Sequence, residues 1–97
     1  MDEYDLIEVF KALADKTRQD ILELLGASEM NVTDICSEFG ITQPTVSHHL
    51  QILKKCKLLG HRKQGKNVYY YLRQDVMGDV FIQISRKMHI KDSPETG

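Results

Sequence analysis

Apolar residues recur along the chain with helical spacing to about residue 58, alternate through a short stretch, and then return to helical spacing. The first stretch, roughly Glu3 to Ala14, places Ile7, Phe10 and Leu13 or Ala14 as one stripe. Asp15 stands where an N-cap belongs, and TRQDILELLG follows with Ile21, Leu24 and Leu25 on one side and Gly26 as the stop. NVTDICSEFG predicts a compact third helix. Asn31 caps it, Asp34 stands where the acid of a capping box would sit, Val32, Ile35, Cys36 and Phe39 share a face, and Gly40 ends it. A short turn then leads to Thr42 as the next N-cap. Pro44 is tolerated in the first turn because its missing N–H had no intrahelical partner.

The fourth helix, within TQPTVSHHLQILKK, carries Val46, His49, Leu50 and Leu53 on an inward stripe. His48, Gln51 and Lys55 lie opposite, flanked by Thr45 and Ser47. Its adjacent histidines therefore point different ways, and a metal site or catalytic pair built from both is geometrically poor. After KKCKLLG the period changes. HRKQ and NVYYYLR read as two strands joined by a tight turn at Gly65-Lys66, with Val68, Tyr70 and Leu72 on one face and Tyr69 and Tyr71 on the other. A last helix begins near Asp75 with Met77, Val80 or Phe81, Ile84 and Met88 as its stripe, weakened locally at Gly78 by about 1 kcal/mol. The order α-α-α-α-β-β-α is mainly α with a small β-hairpin, the order of a winged helix-turn-helix. Residues 1–91 read as a single domain and 92–97 as a polar C-terminal tail.

At 97 residues the chain has room for one small core, so further stability from a second copy is expected. The net charge of −1 hides a strong segregation. Met1 to Glu38 holds ten acids and three bases, whereas Phe39 to Arg73 holds no acid and seven bases: Lys54, Lys55, Lys57, Arg62, Lys63, Lys66 and Arg73. A basic block in an otherwise acidic protein is the footprint of a phosphate-contacting face. No apolar run of about 18 residues could span a membrane, and the acidic, amphipathic start is unlike a signal peptide, so a cytoplasmic protein is expected. Cys36 and Cys56 form no Cys-x-x-Cys pair and read as free thiols in a reducing compartment.

Two short helices separated by a turn, the second polar on its outer face and followed by a basic hairpin, suit the major groove of double-stranded DNA. Gln43, Thr45, Ser47, His48 and Gln51 then offer donors and acceptors to base edges or backbone. Arg62, Lys63 and Lys66 would reach a neighbouring phosphate run or minor groove. The alternative is a winged-helix protein-interaction module that never reads DNA, but such a face would expose large apolar residues, and only Ile52 is awkward here. No Gly-rich phosphate loop, nucleophile elbow or ligand cluster points to an enzyme, and no cofactor is expected.

The runs FKALADKTRQDILELL and ITQPTVSHHLQILKKCKLLGHRKQGKNVYYYL resemble the ArsR/SmtB family of winged-helix repressors from the first helix through the wing, most tellingly in TQPTVSHHLQIL and GKNVYYYL. The resemblance implies a homodimer paired through the first and last helices that binds an operator and releases it when an effector binds. By position it makes Gln43, Thr45, Ser47 and His48 recognition-helix contacts, Arg62 and Lys66 wing contacts, and His49 largely structural. Two-fold symmetry implies an imperfect palindrome. The chain departs from the metal-sensing relatives. Asn31 and Thr33 stand where their Cys-x-Cys thiolates would be, and only Cys36 resembles a neighbouring thiol. Val76 and Gly78 stand where the last-helix set would begin. A metal at the family's usual sites is therefore not expected, and the effector is of another, unknown class. Cys36 and Cys56 remain candidates for oxidant sensing, although neither is expected to be needed for DNA binding.

Overall fold

The structure, a computed structural model, describes residues 5–91. The expected start of the first helix at Glu3 and the expected tail 92–97 lie outside the described residues. Five helices and one hairpin run in the expected order: α1 (Leu6–Leu13), α2 (Lys16–Ala27), α3 (Val32–Phe39), α4 (Gln43–Lys55), β1 (Leu59–Gln64), β2 (Asn67–Leu72) and α5 (Gln74–Lys87).

Local chemistry accounts for most of the boundaries. Asp5 accepts the Ile7 N–H at 2.9 Å to start α1, and Asp15 accepts the Arg18 N–H at 3.0 Å to start α2. That hydrogen bond holds the Asp15 carboxyl below the usual range. The capping box of α3 is complete: Asp34 N–H donates to Asn31 Oδ1 at 2.8 Å, and Asn31 N–H to Asp34 Oδ2 at 3.4 Å. Gly40 closes α3 in the left-handed region, at φ 64°. Gly26 does not end α2, which runs on to a cap at Ser28. A lone glycine costs a helix only about 1 kcal/mol, and here it leaves space beside the Leu72 side chain of β2.

The end of α4 is set without glycine. Lys57 takes φ 73°, its N–H donates to the Lys54 carbonyl at 3.0 Å, and the Leu58 N–H reaches back to Leu53 at 3.1 Å. This is the Schellman arrangement, with buried Leu53 and Leu58 supplying its apolar contact. A side chain in the left-handed region costs roughly 1–2 kcal/mol. Lys57→Gly is therefore expected to raise unfolding free energy by about 1 kcal/mol and the melting temperature by roughly 4–8 °C. An unchanged or lower melting temperature by calorimetry contradicts the strain at this residue.

Strand β1 starts at Leu59, two residues before the expected HRKQ. It pairs antiparallel with β2 in a register running from Leu59 opposite Leu72 to Gln64 opposite Asn67. Gly65 turns the hairpin at φ 63°, the positive angle that a type II′ turn needs at its first central residue. Tyr71 lies across Gly60, where a Cβ would meet its ring at 2.5 Å. A single residue adds a third edge. Met30, between α2 and α3, exchanges both backbone hydrogen bonds with Tyr70, at 3.1 and 2.8 Å. Nothing in the alternation of the sequence marks that bridge.

The core gathers Val9 and Ala12 of α1, Ile21, Leu22 and Leu25 of α2, Ile35 of α3, and Val46, Leu50 and Leu53 of α4. Cys56, Leu58, Leu59, Val76 and Val80 complete it. Three expected stripes need correction. In α1 the domain buries Val9 and Ala12, while Ile7 is 59% and Phe10 41% exposed. Leu6, Ile7, Val9, Phe10, Ala12 and Leu13 leave that helix apolar nearly all round, so periodicity does not choose its inner face. In α2, Leu22 joins Ile21 and Leu25 inside, and Leu24 is only half-buried. In α5, Val76 and Val80 turn inward and Met77 and Ile84 pack beside them, but Phe81 (63%) and Met88 (62%) face out.

Candidate nucleic-acid interface

Helix α3, the turn at Gly40–Thr42 and helix α4 form the helix-turn-helix, and packing of α4 on α2, α3 and β1 fixes which side of α4 is free. Val46, Leu50 and Leu53 anchor it in the core. Gln43, Thr45, His48 and Gln51 are exposed and Ser47 is half-buried, so these expected contacts share the outer surface of one helix. Thr42 is the N-cap by position, yet its hydroxyl bonds the Thr45 hydroxyl at 3.0 Å and caps no helix amide. The first-turn N–H groups of α4 therefore lack a side-chain partner at its positive end.

Past His48 and Gln51 the same side becomes basic. A cleft of about 550 Å³ is lined by His48, Gln51, Ile52, Lys54, Lys55 and Lys57. Ile52 is half-buried against the core, so the face exposes only part of one large apolar side chain, too little for a protein-docking patch. The three lysines belong to the basic block of the sequence but were not among its expected contacts. Their grouping beside Gln51 follows from the Schellman turn, which places Lys57 with Lys54 and Lys55.

The wing residues Arg62, Lys63 and Lys66 are all exposed on the hairpin, but they differ chemically. The Arg62 guanidinium is ion-paired with Glu29, donates to Gln64 Oε1 at 2.7 Å, and lies 5.0 Å from the centre of the Tyr69 ring. Its charge is compensated and its position held. Lys63 and Lys66 form no ion pair among the described residues. The partner Glu29 lies thirty-three residues away in sequence, too far for spacing to reveal it.

The two histidines diverge, with ring centroids 5.8 Å apart and planes tilted by 54°. His48 faces solvent. His49 is half-buried, with Nδ1 3.3 Å from the Arg18 guanidinium. Burial, foremost, holds its pKa below the ordinary imidazole value; Arg18 and His48 add to this and Asp15 opposes it. Cys56 is buried, its S–H donates to the Leu53 carbonyl at 3.4 Å, and burial pushes its thiol pKa up. A reactive thiol needs the reverse environment, so Cys56 is chemically a core residue. Cys36 is half-buried and also a free thiol. At the positions the resemblance associates with metals, Asn31 caps α3, Thr33 is exposed and Val76 lies in the core.

A helix-turn-helix with a basic wing, a polar reading helix and a cationic cleft beside it defines a DNA-binding transcription regulator, not an enzyme. The chain belongs to the ArsR family. A family model described as a bacterial regulatory protein, arsR family, matches residues 15–59. The transcriptional repressor SdpR of Bacillus subtilis is 42% identical over 71 residues, spanning 73% of this chain and 79% of that protein. An ArsR-like transcriptional regulator from Rhodococcus sp. RHA1 superposes with a TM-score of 0.81 at 25% identity, over 87% of this chain and 79% of that one. The homodimeric winged helix-turn-helix DNA-binding domain Mb0332 from Mycobacterium bovis gives 0.71 at 32% identity, over 88% and 81%. Among the described residues, no helix is long and apolar enough to cross a membrane.

Proposed function

We propose that two copies of the chain pair through α1 and α5 and repress transcription by binding an imperfect palindrome. An effector other than a metal at the family's usual sites releases them. The outer face of α4 carries this reading. It exposes Gln43, Thr45 and His48, with Ser47 half-buried among them, and His48 also lines the lysine cleft, which suits base edges flanked by phosphates. Ile7 and Phe10 of α1 and Phe81 and Ile82 of α5 are among the large apolar side chains the domain leaves uncovered, as a second copy requires. Repression by SdpR and dimerisation by the Mycobacterium bovis domain support the same assembly. Capping by Asn31 and core packing by Val76 occupy the positions of the two metal sets with other duties, which supports a different effector class. Two reading helices would enter successive major grooves about 34–36 Å apart.

Selection of bound sequences from random duplexes, repeated with oxidant and with divalent metal ions, reads out the operator, its symmetry and the effector class. No salt-sensitive retention of any duplex in dilute buffer overturns the DNA reading. Single substitutions then separate the two kinds of contact. Lys66→Ala is expected to weaken binding to every duplex and to reduce the slope of log affinity against log salt by roughly one unit. Gln43→Ala is expected to change sequence preference, with about 1–3 kcal/mol of discrimination lost at one base pair per half-site. A Lys66 variant that altered preference alone would remove the wing from the phosphate run.

A further inference from the structure

Arg18 reaches three elements with one side chain. Its Nε donates to the Ala12 carbonyl at 2.7 Å and its Nη2 to the Lys11 carbonyl at 3.3 Å, both at the C-terminal end of α1. Nη1 lies 3.9 Å from the Asp15 carboxylate, in the turn that starts α2, and 3.3 Å from His49 Nδ1 on α4. The side chain is only 14% exposed, so the guanidinium spends its donors on these neighbours and little on water. Its planar fork suits several acceptors held at fixed angles.

That contact dictates the state of His49. An arginine has no lone pair to offer, so Nδ1 must accept, and the ring must be neutral with its proton on Nε2. A second proton would place an N–H against an N–H and a cation against a cation. The charged and titratable groups acting on His49 are Asp15 from the α1–α2 turn, Arg18 from α2 and His48 from α4 itself. Burial reinforces the neutral ring. For a base whose folded pKa is depressed, the associated stability is complete above the ordinary imidazole value and is lost as pH falls through the window below it.

We propose that Arg18 is a positioning residue for DNA reading: through an unprotonated His49 it brackets α4 to the last carbonyls of α1, so that the angle of the reading helix follows α1 and is released when His49 gains a proton. This rests on the DNA-reading function proposed for α4. Because α1 is also a helix of the proposed dimer interface, the bracket gives subunit geometry a direct mechanical route to the reading head.

The test measures operator affinity from about pH 7.5 to about pH 5.5, the window of imidazole titration, for the wild type, His49→Asn and Arg18→Lys. Asparagine keeps an amide oxygen near the place of Nδ1 but does not titrate. Its affinity is expected to match the wild type at the upper pH, while the wild type weakens about tenfold more on acidification. Every other histidine is present in both proteins, so the comparison isolates position 49. Lysine offers a single ammonium and cannot span the acceptors, so Arg18→Lys is expected to lose about tenfold or more in affinity at the upper pH, with a flattened pH profile. Superimposable pH profiles for the wild type and His49→Asn, or wild-type affinity in Arg18→Lys, overturn the inference. A wild type that retains no duplex at either pH defeats the DNA reading itself, a separately recognisable result.

Discussion

Phe81→Asp is expected to leave each protomer folded and to abolish high-affinity operator binding. Phe81 is 63% exposed on α5, outside the cluster formed by Val76 and Val80, so the domain does not depend on its ring. In the proposed dimer the same ring is covered by the partner. Burying an unpaired carboxylate there costs several kcal/mol, enough to dissociate an interface of ordinary size at micromolar concentration. A lone protomer reads one half-site, and losing the second half-site removes at least about 100-fold in affinity. Light scattering should show a monomer, circular dichroism an unchanged helical content, and duplex titration the loss. A Phe81→Asp protein that remained dimeric with wild-type operator affinity would place the pairing surface elsewhere.

The second large effect falls on the core. Leu53 is fully buried, and its carbonyl accepts both the Leu58 N–H and the Cys56 S–H. Leu53→Ala removes side-chain volume at the junction of α4 with the strand that follows. Its expected cost is about 2–5 kcal/mol, because packed surroundings collapse only partly into the cavity. A domain of this length has roughly 5–15 kcal/mol in all, and at roughly 4–8 °C per kcal/mol melting should fall by about 8–40 °C. Calorimetry at one fixed protein concentration is the measurement, since subunit association shifts the apparent value. A loss under about 1 kcal/mol would show that the end of α4 relaxes freely around the gap.

What could be read from the chain alone was whatever short-range chemistry writes. Asp15, Asn31 with Asp34, Gly40 and Gly65 each settle a boundary through partners within a few residues, and each acts as expected. The inward stripe of α4 is also legible, because its opposite side is polar. Helix α1 fails that test: with six apolar residues in its eight, only the packed neighbours decide that Val9 goes in and Phe10 stays out. Helix α5 divides its apolar residues between two surfaces for the same reason. The expected recognition-helix residues all lie on the surface of α4 outside its inward stripe, which one helical period is enough to predict. The partners that hold them are another matter. Arg18 to His49, Arg62 to Glu29 and Met30 to Tyr70 each join positions thirty or more residues apart, and no periodicity encodes such a pair.

The fastening of the hairpin to the segment between α2 and α3 bears on how any inducer could work. Glu29 grips the guanidinium of Arg62 while the next residue, Met30, is stitched to Tyr70 through the main chain. Two adjacent residues thus tie the finger to the segment that leads into α3, and bending the finger alone would require breaking both ties. In the proposed dimer, an inducer would have a softer degree of freedom in the hinge between the two protomers. Opening that hinge by a few ångströms would leave each protomer intact and mismatched to the pitch of the duplex.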